Sequence, residues 1–294
     1  MKKGLIKKIV TTALLGVMTM AFVGCGAANN ADSGNKGTTA TSSTESNGED
    51  MLDIIKEKGT LVVGLSADYA PYEFHAMIDG KDEIVGFDLE IAKEIANALD
   101  VKLEILEMEF DALVTALPAG KVDMVISGMN PTPERAEVVD FSEIYYVSQH
   151  GVLVSAENKD KYSSMKDLEG LKVGAQLGST QAELAKEMIP EANLQLIANV
   201  NTLILELKSG KIDALIMEKP VAEMAMKSNP ELSLCGFTIE DEGGGNAVGI
   251  KKGSPKLLEE VNKVIVELNE SGKMAQFISD ANDLAAQAQI EENN

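Results

Sequence analysis

An eleven-residue segment occurs twice in the chain, ninety residues apart. Leu113-Val-Thr-Ala-Leu117-Pro-Ala-Gly120-Lys121-Val122-Asp123 aligns without gaps on Leu203-Ile-Leu-Glu-Leu207-Lys-Ser-Gly210-Lys211-Ile212-Asp213. Each copy has two leucines at helical spacing, then Gly-Lys-x-Asp, then an apolar run; the first run is Met124 to Ile126. The pattern predicts a helix leading into a buried strand, built twice. With 294 residues the chain is long enough for two lobes and a sizeable core. Strand and helix signals alternate around both copies. Strands are expected at Leu61–Leu65, Val101–Leu106, Met124–Ile126 and Leu171–Ala175. Helices are expected from Asp111 to Leu117 and after Asp88, read as a cap before Leu89, Ala92, Ile95, Ala96 and Leu99. Such alternation means α/β lobes.

The crossing between lobes is expected through Ser148 to Val154, with the return through Gly243-Gly244-Gly245 to Ile250, where glycines can absorb a hinge rotation. Lobe 1 is then 51–148 with 246–294, and lobe 2 is 149–245. Two helices, Pro255–Ser271 and Lys273–Ala288, close the sequence.

Ahead of the lobes, Lys2, Lys3, Lys7 and Lys8 precede the apolar span Ile9 to Val23. That span is short for a bilayer crossing and reads, over 1–24, as a secretion signal. Residues 25–50 are rich in Gly, Ser, Thr, Ala and Asn and read as a flexible tether. The formal net charge is −21, and removing so basic a leader makes the remainder more acidic still. So acidic a surface argues against nucleic acid or anionic lipid as partner. Two cysteines, Cys25 and Cys235, are too few for a disulfide framework. His75 and His150 lack ligand-spaced partners, so no metal is expected, and no dinucleotide or phosphate loop suggests a cofactor.

Ligands of open α/β sheets sit beyond the carboxyl ends of strands. The repeat makes Gly128, just past the first strand, equivalent to Glu218, just past the second. They would face one another if the lobes close. Glu218 suits an ammonium group there, or is simply a helix-start acid. Thr132 reads as an N-cap and Pro133 as the first helical residue. Arg135 in the first turn opposes the helix dipole, which marks it as a carboxylate ligand or as a surface cation paired with Glu134 or Glu137. Gly178-Ser179-Thr180-Gln181-Ala182-Glu183 follows a strand, and Thr180 with Glu183 reads as a capping box. It is either a plain cap or the other half of a carboxylate clamp.

Asp123, Ser127-Gly128, Asn130, the Thr132-x-x-Arg135 spacing and Asp140-Phe141-Ser142 resemble the extracytoplasmic solute-binding proteins of polar amino-acid ABC transporters (bacterial solute-binding protein family 3). The resemblance runs from about Met51 to about Ile278. It implies a two-lobed periplasmic-binding-protein fold, the Venus flytrap, with two hinge strands. It also implies an amino-acid ligand, and as partners an ABC permease with its ATPase. Phe22-Val23-Gly24-Cys25 resembles a lipobox, which implies a lipid on Cys25 and an extracytoplasmic protein anchored to the membrane.

Arg135 and Thr180 would hold the α-carboxylate with help from Asn130, and Glu218 with Ser127-Gly128 the α-ammonium. Tyr69 and Phe110 match aromatic walls of the family, and with Ser66 and Gln176 they would line the side-chain end. Family members that bind basic amino acids often carry aspartate at the Ser66 position. Serine there favours neutral polar ligands first, arginine or lysine second, and aspartate or glutamate last. Asp68, two residues on, argues the other way. The expected protein is a monomer. The competing classes are an enzyme on this fold, such as a dehydratase using Glu218 without an activated nucleophile, and a sensory domain with a downstream signalling segment.

Overall fold

The computed structural model describes residues 50–189, 193–241 and 243–292. The leader, Cys25 and most of the tether lie outside the described residues. Two five-stranded sheets carry the chain. In the first, the order is Lys102–Glu107, Thr60–Leu65, Met124–Val125, Asn246–Lys251 and Val139–Tyr146. In the second it is Asn193–Ile197, Lys172–Gln176, Ala214–Glu218, Gln149–Ser155 and Leu232–Glu240. In each sheet the first three strands are parallel, the fourth runs opposite to them, and the fifth, antiparallel to the fourth, runs with the first three. A smaller antiparallel sheet joins Asp68–Tyr69, Glu73–Ile78 and Lys81–Val85.

The repeat supplies the same piece to both sheets. Its helices are Phe110–Ala116 and Val200–Lys208, and its strands Met124–Val125 and Ala214–Glu218 sit in the middle of their sheets. Gly120 and Gly210 turn the chain with φ of 68° and 69°, a conformation that glycine alone adopts without strain. Asp123 then accepts the Val62 N–H at 2.7 Å, and Asp213 accepts the Lys172 N–H at 2.9 Å. Both clasps tie the incoming strand to its neighbour. The leucines Leu113, Leu117, Leu203 and Leu207 are buried, each contributing about 1.5–3 kcal/mol. Gly64 and Gly174 let the two helices lie close. A Cβ at Gly64 would meet Leu113 at 3.2 Å, and one at Gly174 would meet Leu203 at 3.1 Å.

Two expectations need correction. Asp88 does not cap its own helix, Phe87–Leu99; Gly86 holds the cap position. The loop carbonyls of Pro71 and Tyr72 take the N–H groups of Phe87 and Asp88, so no side-chain cap is required, and Asp88 turns inward. The chain also changes sheet over shorter stretches than expected. It passes at residues 147–148 and between Glu240 and Asn246, while Gln149–Ser155 and Asn246–Lys251 are hydrogen-bonded members of their own sheets. The last two helices are Pro255–Glu270 and Lys273–Glu292.

Candidate functional site: a cleft with a cationic and an anionic end

The central strands of both sheets end at one cleft. At one side, Thr132 caps the short helix Pro133–Ala136, accepting the Arg135 N–H at 3.3 Å. That turn sends the Arg135 side chain back along the cleft. Its Nη1 donates to the Asn130 carbonyl at 2.7 Å, and its Nη2 crosses to the Gly178 carbonyl at 3.0 Å. The guanidinium lies 5.4 Å from the centroid of the Phe110 ring. Burial lowers its pKa to about 10, so it stays charged at neutral pH.

Facing it is the helix Thr180–Met188, whose cap differs from the one expected. Ser179, with extended backbone, accepts the Ala182 N–H at 3.1 Å. Thr180 is the first helical residue, so Glu183 is not its capping partner. Freed from that duty, the Thr180 hydroxyl donates to Asn130 Oδ1 at 3.0 Å. Asn130 Nδ2 donates onward to Asp241 Oδ2 at 2.6 Å and to the Gly245 carbonyl at 3.3 Å. His150 Nε2 stands 3.9 Å from Asp241 Oδ1. Arg135, Thr180, His150 and Asp241 line a cavity of about 660 Å³. A guanidinium, a hydroxyl and a helix N-terminus converge here, donors suited to a carboxylate.

Glu218 is the last residue of its strand, 1% exposed. One carboxylate oxygen accepts the Tyr72 hydroxyl, and the other accepts Asn246 Nδ2 at 3.0 Å. The same Asn246 amide donates to the Gly128 carbonyl at 2.8 Å. The two positions made equivalent by the repeat thus meet through one side chain. The Glu218 N–H donates to the Tyr69 hydroxyl at 3.2 Å, and the Tyr69 ring covers Gly128. Burial raises the Glu218 pKa to about 7. Ser127 Oγ accepts the Ser66 N–H at 3.0 Å and donates to Glu73 Oε1 at 2.6 Å.

Ser66 donates its hydroxyl to Asp68 Oδ1 at 3.1 Å. Asp68 Oδ2 reaches the other lobe, accepting the Val200 N–H at 2.6 Å. Burial lifts the Asp68 pKa to about 6. Gln176 donates to the Ala198 carbonyl at 3.0 Å, two residues before Val200. Ser66, Asp68, Glu107 and Glu109 line a second cavity of about 700 Å³. Ser66 and Gln176 therefore lie toward the Asp68 end. Tyr69 stands beside Glu218, and Phe110 underlies Arg135. Tyr72, Glu73, Asp88, Asp241 and Asn246 carry no sequence signal of their own as site residues. The bonds that bring them to the cleft span 28 to 174 residues, beyond any local pattern.

A cleft between two similar α/β sheets, with donors at one end and buried carboxylates at the other, defines a solute-binding protein. Residues 61–280 match the bacterial extracellular solute-binding proteins, family 3, and the chain belongs to that family. The arginine-binding extracellular protein ArtP of Bacillus subtilis is 41% identical over 222 residues, 74% of this chain and 84% of that protein. The substrate-binding protein AbpA of an amino-acid ABC transporter from Streptococcus pneumoniae, solved bound to L-arginine, is 41% identical. The match covers 80% of this chain and 99% of that one, with a TM-score of 0.78. An ancestral arginine-binding protein solved with glutamine is 36% identical over 76% of this chain and 97% of that one, with a TM-score of 0.70. The relatives are transport proteins, and this chain is a binding protein rather than an enzyme.

Proposed function

We propose that the protein captures a basic amino acid, arginine in the first place, between lobes 51–148 with 246–294 and 149–245, and delivers it to an ABC permease and its ATPase. The observation that carries this reading is Asp68. The residue is 7% exposed and lines the 700 Å³ cavity, and its carboxylate has a hydroxyl and an N–H as partners but, among the described residues, no cation bonded to it. A buried carboxylate without a counter-ion is costly, and a guanidinium arriving there relieves the cost. Glu109 lines the same cavity and adds to the field at Asp68, while Glu107, also in the lining, faces His75 Nε2 at 3.1 Å. Arg135, Asn130 and Thr180 take the α-carboxylate, while Glu218, Ser127 and Gly128 take the α-ammonium. Tyr69 and Phe110 are the aromatic walls, and Ser66 and Gln176 stand by the side chain. This reverses the order that serine at position 66 suggests, because the charge sits two residues further on. ArtP and AbpA, both tied to arginine by name or bound ligand, support the choice.

The second reading is a neutral carboxamide such as glutamine. It is favoured by Ser66 and Gln176 beside Asp68, and by the ancestral arginine-binding protein that holds glutamine. The mature protein, in this reading, is a monomer held to the outer face of the membrane by a lipid on Cys25. Calorimetric titration with each amino acid tests the ligand. Arginine should bind at least about tenfold tighter than glutamine. Tight glutamine with no measurable arginine would establish the second reading instead.

A further inference from the structure

Beneath the Ser127-Gly128 turn lie two carboxyl groups that the ligand would not touch. Glu73 opens the strand Glu73–Ile78 and is 1% exposed; Asp88, on the helix Phe87–Leu99, is 0% exposed. They meet adjacent residues of the same turn, Glu73 at Ser127 and Asp88 at Gly128, and so stand side by side. Each has one oxygen well served. Glu73 Oε1 accepts the Ser127 hydroxyl at 2.6 Å. Asp88 Oδ2 accepts the Gly128 N–H at 2.8 Å and the Tyr145 hydroxyl at 2.9 Å. The other two oxygens, Glu73 Oε2 and Asp88 Oδ1, are buried without a partner. Two buried acceptors cannot satisfy each other, and two adjacent buried charges repel. One proton between them removes both difficulties.

We propose that Glu73 and Asp88 are positioning residues that share a single proton and thereby make the Ser127-Gly128 turn an acceptor-only floor for a ligand's α-ammonium group. The proposal rests on the reading that the ammonium lies against this turn. Ser127 gives its only proton to Glu73, and one of its lone pairs takes the Ser66 N–H. What it has left can only accept. Gly128 likewise commits its N–H to Asp88, leaving its carbonyl, which already takes Asn246, as the free end. Such a floor receives –NH₃⁺ and repels a carboxylate, which fixes which way round an amino acid lies.

The charged and titratable neighbours agree with a retained proton. Asp68 and Asp88 act on Glu73, Tyr145 acts on Asp88, and Glu218 acts on Tyr145; none of these is a cation. Burial is the largest influence on both carboxyls, lifting Asp88 to about 6 and Glu73 well above the usual range.

The test compares Glu73→Ala, Glu73→Gln and Glu73→Gln/Asp88→Asn with the unaltered protein. Alanine should lower affinity for L-arginine at least about tenfold, by freeing Ser127 to donate. Glutamine puts a fixed N–H where the proton was and should rescue most of the loss. The double variant sets two amide groups facing each other and should lose affinity again. The losses should spare 5-guanidinopentanoate, which lacks the α-amino group, because the defect lies at the ammonium. Equal loss of both ligands, or no rescue by Glu73→Gln, would overturn the positioning role.

Thermal unfolding without ligand tests the proton separately. A raised folded-state pKa gives stability at lower pH that is lost as pH rises. The unaltered protein should therefore fall in Tm relative to Glu73→Gln as the pH rises above the ordinary carboxylate range, between about pH 5 and pH 10. A constant difference across that range would mean that no proton is shared. If neither L-arginine nor L-glutamine binds the unaltered protein, the proposed function falls, and the unfolding profiles alone decide this inference.

Discussion

The two ends of the cleft bury charge in opposite ways. At one end Arg135 rests on the carbonyls of Asn130 and Gly178 and on the face of Phe110. Its hydrogen-bond partners are neutral, the Asp241 and Glu134 carboxylates favour its charge against burial, and it remains charged. Toward the other end, Asp68, Glu73, Asp88 and Glu218 are all buried, and they accept hydrogen bonds from hydroxyls, an amide and backbone N–H groups. Burial raises the pKa of all four. Donors gathered around one cation await one anion. Of the four carboxylates, Asp68 and Glu218 stand at the cleft with no cation bonded to them among the described residues, and they suit positive charge. A zwitterion with a further positive group meets both demands, whereas a dicarboxylic amino acid meets only the first.

The largest effect should come from removing Arg135. Arg135→Ala should cost about 2–5 kcal/mol of binding, at least ~30-fold in Kd, because a ligand carboxylate would be buried without its charge partner. Lysine should rescue poorly, since it cannot reproduce a planar fork. Calorimetry that found wild-type affinity in Arg135→Ala would return this residue to an ordinary surface role. Asp68→Asn should come next, costing arginine about 10- to 100-fold through the loss of a charge-assisted hydrogen bond. Glutamine affinity should stay within about threefold in the same variant. Equal losses for the two ligands would place Asp68 in the architecture and not at the side chain.

A pH titration sharpens the same comparison. Asp68 and Glu218 have folded-state pKa values raised to about 6 and about 7. Their contribution to stability is present at lower pH and is lost as pH rises through those values. The protein alone should therefore lose Tm between pH 5 and pH 8. Arginine favours the ionised carboxylates, so its binding should release protons, and its affinity should rise by a few-fold over the same interval. Calorimetry in buffers of different ionisation enthalpy measures that release. Proton uptake on binding would contradict the assignment of cationic groups to this end.

How much of this was legible follows from how far each signal reaches along the chain. The repeat encodes its helix, its turn and its clasping aspartate within eleven residues, so both lobes could be read from it. Arg135 betrayed itself by standing in the wrong turn of a helix. Thr180 was found, but with Ser179's task. Two adjacent hydroxyls look alike in sequence, and only backbone direction decides which one reaches the Ala182 N–H. Asp88 was misread for a related reason. A carboxylate at a helix start is ordinarily a cap, and nothing local says that loop carbonyls from Pro71 and Tyr72 have already taken the N–H groups. Tyr72 and Asn246 meet Glu218 only after the chain has crossed between sheets, and no spacing rule covers such a meeting.

The smallest predicted effect concerns the one place where the two copies of the repeat are dressed differently. Asp123 accepts the Val62 N–H and also Lys58 Nζ at 2.5 Å, whereas the Asp213 carboxylate accepts the Lys172 N–H and forms no ion pair among the described residues. The Lys58 side chain is 36% exposed, so water screens much of the attraction. Exposed pairs of this kind contribute about 0–1 kcal/mol. The aspartate's bond to the neighbouring strand is the part common to both copies, and it survives removal of the lysine. Lys58→Ala should therefore lower Tm by no more than about 4 °C, and arginine affinity should not change, because the clasp lies at the far end of the strands from the cleft. A larger drop accompanied by weaker binding would mean that lobe 1 depends on its ion pair, and that the two copies of the repeat are not mechanical equivalents.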